Sequence, residues 1–130
     1  MPVGPDWYAI ELARVREVVA MALPALLPAA PATLLGVFNL RGDIVPMFDT
    51  AALLGIGVAP PPSHVTVVET LLGPAGLAAS VFPESVDLGD PLGAAEIAGG
   101  VATYAVGTRV ATLIDVDVLL TPANIGRGGS

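Results

Sequence analysis

No cysteine and no lysine occur in the 130 residues, and there is a single histidine, His64. Without cysteine the chain has no disulfide, no thiol nucleophile and no thiolate metal site, and the compartment stays open. Without lysine it has no Schiff-base amine and no phosphate-loop lysine. One histidine leaves triads and histidine-based zinc sites with at most one of their members. No cofactor or metal is expected. Charged residues are 13% of the chain, about half the usual share. Five arginines against twelve acids give a net charge of -7. Scattered arginines on such a background form no basic stripe, which excludes nucleic acid as a partner.

What is present is apolar and heavily punctuated. Hydrophobic residues make up 54% of the chain while aromatics make up 5%, so the apolar mass is Ala, Val and Leu. Mean hydropathy is +0.78. The longest uncharged stretch, residues 18–40, is long enough to span a bilayer but contains Pro24, Pro28 and Pro31. Each removes a backbone donor and clashes with the preceding turn, so no continuous membrane helix and no membrane insertion are expected. The first six residues lack a basic segment and contain Pro2 and Pro5, so no secretory signal is expected.

Residues 7–12 are rich in strand formers, and the β-branched run around Val15, Val18 and Val19 continues them. The Pro-rich stretch 22–31 reads as an extended connection. A short helix is expected between Pro31 and Gly36, on the preference of proline for first helical positions and glycine for ends. Residues 37–40 and 44–48 form two apolar runs joined at Arg41-Gly42-Asp43, the spacing of a hairpin or sharp bend. Pro60-Pro61-Pro62 marks a break. A second hairpin is expected over 64–82, turning at Gly73-Pro74, and a third over 103–114, turning at Gly107-Thr108. Residues 89–100 read as a loop, and 123–130 as a disordered tail. Many short strands with Gly/Pro turns indicate an all-β fold of small barrels or a sandwich.

One internal echo organises the chain. Ile44-Val45-Pro46-Met47-Phe48-Asp49 with Leu53-Leu54 recurs 66 positions later as Val110-Ala111-Thr112-Leu113-Ile114-Asp115 with Leu119-Leu120. Both copies read as a buried strand, an Asp that caps a short helix, and a leucine pair facing inward. Two similar subdomains follow, expected at roughly 7–60 and 61–122, with room for strand exchange between them.

Little chemistry is on offer. Asp49 and Asp115 read as structural caps; as an acid–base pair they would define a carboxylate-dependent hydrolase, the less favoured alternative. Asp115-x-Asp117 lacks the further oxygens and glycine turn of a calcium loop. His64 reads as a solvated strand-end histidine, and Ser63 and Ser80 lack a glycine elbow. Arg41 stands out: at a bend between apolar strands, its guanidinium fork suits a subdomain junction or a partner's carboxylate.

The run Gly36-Val37-Phe38-Asn39-Leu40-Arg41-Gly42-Asp43-Ile44-Val45-Pro46-Met47-Phe48-Asp49 resembles the signature of CheW-like domains. The similarity extends over about residues 3–121, and 39–49 is its specific part. The resemblance implies two five-stranded SH3-like β-barrel subdomains flanking a hydrophobic groove within 1–122. It implies no catalytic residue and no enzyme activity, but a chemotaxis adaptor, cytoplasmic at receptor arrays. Its partners would be the cytoplasmic tip of a methyl-accepting chemoreceptor and the regulatory domain of a histidine kinase. A module of another kinase array, such as one for surface motility, is the alternative. By the same resemblance Arg41 is the central contact, Val15 and Glu17 lie on the receptor-binding side, and Asn39, Leu40 and Gly42 are scaffold around Arg41. The family's first strand is expected to precede Val3-Gly4, where only Met1 and Pro2 stand, so the first barrel is expected to lack its opening strand.

Overall fold

Alternating apolar and small residues between glycine turns pair into two five-stranded sheets in the computed structural model. It describes residues 2–3, 6–21, 23–26, 30–55, 61–80, 89–94, 100–106 and 109–127. In chain order the strands are β1 (Pro2–Val3), β2 (Asp6–Ile10), β3 (Val15–Ala20), β4 (Leu34–Leu40), β5 (Asp43–Asp49), β6 (His64–Thr70), β7 (Gly73–Ala79), β8 (Gly93–Ala94), β9 (Gly100–Val106) and β10 (Arg109–Ile114). The helices are short: a 3-10 turn at Leu12–Arg14, then α1 (Thr50–Leu53), α2 (Val116–Leu119) and α3 (Pro122–Arg127). No helix among the described residues is long and apolar enough to cross a membrane.

One sheet has the order β3-β6-β7-β5-β4 and the other β1-β2-β10-β9-β8. The sheets do not follow a cut at residue 60. β6 and β7 join β3–β5 in the middle sheet, while the second sheet combines both ends of the chain. Two parallel pairings cause this. β5 runs parallel to β7, and β10 runs parallel to β2 with Ala111 opposite Trp7. A parallel neighbour needs a long crossover, so sheet partners come from distant parts of the sequence. β2 does not stand without an outer neighbour: the two-residue β1 pairs Pro2 with Trp7 and Val3 with Asp6.

The 66-residue echo takes physical form at the strand–helix corners. Asp49 follows β5 and accepts the Ala51 and Ala52 N–H groups on Oδ1, at 3.1 and 3.4 Å. Asp115 follows β10 and accepts those of Asp117 and Val118, at 3.0 and 3.4 Å. Each carboxylate thereby satisfies donors that a first helical turn leaves open. Four residues beyond each cap, Leu53 and Leu119 are fully buried. They share one apolar core with Tyr8, Phe48, Leu77 and Ile114, residues drawn from both sheets. A second cluster of Phe38, Leu40, Val45, Met47, Val65, Val67 and Ala78 fills the middle sheet's own interior. At about 1.5–3 kcal/mol for each fully buried large aliphatic side chain, the shared core is the main force joining the halves.

Four local expectations change. Residues 31–36 turn at 32–33 and enter β4 instead of forming a helix. Gly36 lies in that strand at φ +147°, beside an isolated bridge between Ala25 and Val37. A Cβ there would meet the Ala25 carbonyl oxygen at 2.4 Å, so this glycine serves close backbone approach and not helix termination. The second hairpin turns at Leu71-Leu72, and Gly73-Pro74 already belong to β7. The tail is ordered through Arg127: α3 seats Asn124 in the interior and packs Ile125 against the shared core. Residues 89–100 also contribute the short β8. Pro60, the 81–82 end of the second hairpin, Gly107-Thr108 and residues 128–130 lie outside the described residues.

Candidate functional site

The β4–β5 hairpin is built around its turn. Arg41 and Gly42 both have positive φ, +48° and +93°, as the tight two-residue turns that suit twisted strands require. Gly42 tolerates this freely, whereas Arg41 carries a modest backbone strain. The Asn39 side chain compensates, its Oδ1 accepting the Gly42 N–H at 2.9 Å. Leu40 is buried in the middle sheet's cluster and anchors the strand below the turn. Asn-Leu-Arg-Gly thus has a mechanical meaning: a side-chain brace, an apolar anchor, a presented cation and a hinge residue.

Arg41 is presented outward, with 67% of its side chain exposed, and pairs through Nη2 with Glu17 Oε2. Glu17 lies on β3, the opposite edge strand of the same sheet. Arg16, also on β3, reaches Asp43 Oδ2 at 3.2 Å and Glu69 Oε1 at 3.6 Å. These pairs require the sheet to curl until its first and last strands approach. Among the described residues no strand ladder closes that gap, and side-chain ion pairs span it. The register explains Arg16: Val15 faces Val68 and Glu17 faces Val67, so Arg16 is the extra residue of a β-bulge.

Glu17 is held unequally. Its Oε1 is buried and accepts no hydrogen bond among the described residues. Arg41 satisfies one oxygen only, and two-thirds of its side chain stays exposed. The edge therefore offers a cation in contact with a carboxylate, with the exposed Ile44 beside it. Such a surface recognises; nothing in it supplies a nucleophile or a proton relay. Val15 stands apart, partly buried against the shared core. Of the residues singled out in the sequence, Arg41, Glu17, Asn39, Leu40 and Gly42 converge at this edge, and Val15 lies instead against the shared core.

The ion pairs of two further arginines escaped the sequence reading. One set joins Arg16 to Asp43 and Glu69. The other joins Arg14 Nη2 to Asp117 Oδ2 at 2.6 Å, linking the 3-10 turn to α2. Asp117 Oδ1 also accepts the Leu71 N–H at 2.9 Å. That bond, and then the Arg14 guanidinium, hold the Asp117 carboxyl below the usual carboxylate range. The Arg14 pKa is raised, first by its bond to Asp117. Such long-range charge partners leave no local signal in the sequence.

Asp49 and Asp115 each commit Oδ1 to two backbone donors. Ser63 Oγ donates to the Ser80 carbonyl at 2.7 Å. It therefore meets His64 Nδ1, 2.9 Å away, as an acceptor. A hydroxyl so engaged is not poised as a nucleophile.

Comparison with known proteins agrees with this architecture. The family model described as "CheW-like domain" matches residues 1–123. Over 67 residues, 51% of this chain, the sequence is 37% identical to a probable chemotaxis protein CheW of Rhizobium etli. Over a stretch of the same length it is 39% identical to chemotaxis protein CheW of Rhizobium meliloti. Each match covers 43% of the relative, so over the matched stretch the chain spans less than half the length of these curated relatives. Among solved structures, the scaffolding protein TtCheW from Thermoanaerobacter tengcongensis superposes with a TM-score of 0.82 at 23% identity. The superposition covers 95% of this chain and 90% of that one, which shows the shared fold. The chain belongs to the CheW-like domain family.

Proposed function

We propose that this protein is a non-enzymatic chemotaxis adaptor that couples a chemoreceptor's cytoplasmic tip to the regulatory domain of a histidine kinase. On this reading it works at receptor arrays on the cytoplasmic side. The observation that carries the reading is Arg41, fixed on a braced turn, two-thirds exposed, and only partly neutralised by Glu17. A guanidinium so held offers a partner carboxylate charge-assisted, fork-shaped bonding without first having to be ordered. Membership of a family whose relatives are named chemotaxis proteins supports the same reading.

The test is Arg41→Ala in pull-downs with a receptor cytoplasmic fragment and, separately, a kinase regulatory domain. Losing a charged hydrogen bond costs about 1–3 kcal/mol, or roughly 5- to 150-fold in affinity. Because the Arg41–Glu17 pair is exposed on the arginine side, its loss costs only about 0–1 kcal/mol of stability. Binding therefore falls while circular dichroism and the melting temperature stay close to wild type. Unaltered binding of both partners by a natively folded variant removes Arg41 as the anchor.

A further inference from the structure

The least expected contact in the molecule lies at the junction of the halves. Asn124 on α3 is buried, and its Nδ2 lies 2.6 Å from the Leu119 carbonyl oxygen and 3.5 Å from that of Leu53. Leu53 ends α1 and Leu119 ends α2. They are 66 positions apart, as are the caps Asp49 and Asp115. One amide thus faces the same carbonyl in both copies of the internal repeat. Carbonyls at helix ends lack partners within the helix. An amide nitrogen has two hydrogens, one for each. The orientation of the amide follows from this, since carbonyl oxygens can only accept.

A second tie lies one residue on. The Ile125 carbonyl accepts the hydroxyl of Thr33 at 2.7 Å. Thr33 is fully buried, and its own carbonyl accepts the Asp49 N–H at 2.8 Å. Toward α2, α3 is held by the short Leu119 bond. Toward α1 and β4 it is held by the long Leu53 bond and by Thr33. α3 therefore bonds to both halves and belongs to neither sheet.

We infer that α3 is a strap that fixes the relative orientation of the two sheets, with Asn124 as its pin. This rests on the junction geometry alone and stands whether or not the protein is a chemotaxis adaptor.

The absence of cysteine makes the test clean. Leu72→Cys in the β6–β7 turn and Val110→Cys on β10 place one spin label on an exposed site of each sheet. Double electron–electron resonance then reads the distance between the halves in the full chain. The otherwise unmodified chain gives one narrow distribution. Asn124→Ala broadens or shifts it by several ångströms, and Thr33→Val, which keeps shape and burial, does so to a smaller extent. Arg41→Ala leaves it unchanged. A wild-type distribution in a folded Asn124→Ala chain overturns the strap. Should Asn124→Ala fail to fold, Thr33→Val decides alone, and an unchanged distribution there overturns it equally.

Discussion

Gly36→Ala is the most demanding single test of the packing. The added Cβ would lie 2.4 Å from the Ala25 carbonyl oxygen and 3.0 Å from both the Ala25 carbonyl carbon and Pro24 Cβ. The nearest obstacle is backbone, so no side-chain rotation relieves it. Reaching even a 3.0 Å contact requires a retreat of about 0.6 Å, and the two hydrogen bonds of the bridge absorb it. These run from Ala25 N–H to the Val37 carbonyl at 2.8 Å and from Val37 N–H to the Ala25 carbonyl at 3.0 Å. Stretched by that amount, both pass the useful range. Losing two bonds costs about 1 kcal/mol each, and holding alanine at positive φ adds about 1–3 kcal/mol. The total is about 3–5 kcal/mol. With a urea dependence of about 2 kcal/mol per molar, the unfolding midpoint falls by roughly 1.5–2.5 M. Hydrogen exchange at Ala25 and Val37 accelerates together. A midpoint within 0.3 M of wild type, with both amides still protected, would refute the reasoning that close backbone approach selects glycine here.

The remaining predictions concern caps, acid response and the core. Asp49→Ala and Asp115→Ala each lower stability by about 0.5–2 kcal/mol in urea titrations; a neutral result at either position means its helix does not depend on the cap. Asp117 has a depressed pKa in the folded state, so its stabilising contribution is full above the ordinary carboxylate value of about 4 and is lost as pH falls through the lower folded value. The stability gap between wild type and Asp117→Asn therefore narrows between neutral pH and pH 3, and a gap constant over that range contradicts the role given to Leu71 N–H and Arg14. Gly76→Ala would set a Cβ 2.7 Å from Val65 Cγ1 and 3.2 Å from Phe38 Cε1. Those are side chains that can shift, so its cost is about 1–3 kcal/mol, smaller than that of Gly36→Ala in the same assay.

The fold was legible in the chain wherever the signal was local. The strand–Asp–helix corner could be read because its parts lie within ten residues, and the echo revealed the second copy. The Arg41-Gly42 turn was visible for the same reason. What failed depended on distance. Pro31 to Gly36 carries the marks of a short helix, and only the approach of Ala25 makes Gly36 a strand residue. α3 has the composition of a loose tail, yet Asn124 and Ile125 find partners as far back as Leu53 and Thr33. The pairs Arg16–Asp43 and Arg14–Asp117 rest on a bulge and on a crossover, which no window along the sequence contains. Parallel pairing also hid the division of the sheets, because β2 and β10 give no sign in their own residues that they are neighbours.

That last pairing governs the order in which the molecule can be made. The middle sheet, from β3 to β7, is complete once residue 79 has left the ribosome. β2 is synthesised well before its neighbour, since Ala111 lies 104 positions after Trp7. Closing so long a loop must precede any gain from the contact, and such pairings are slow to form. β2, paired on one side with the two-residue β1, therefore waits with its other edge open until β10 has been translated. The nascent protein passes through a stage in which one half is folded and the other cannot be, and during that stage β2 is its most exposed site for wrong pairing.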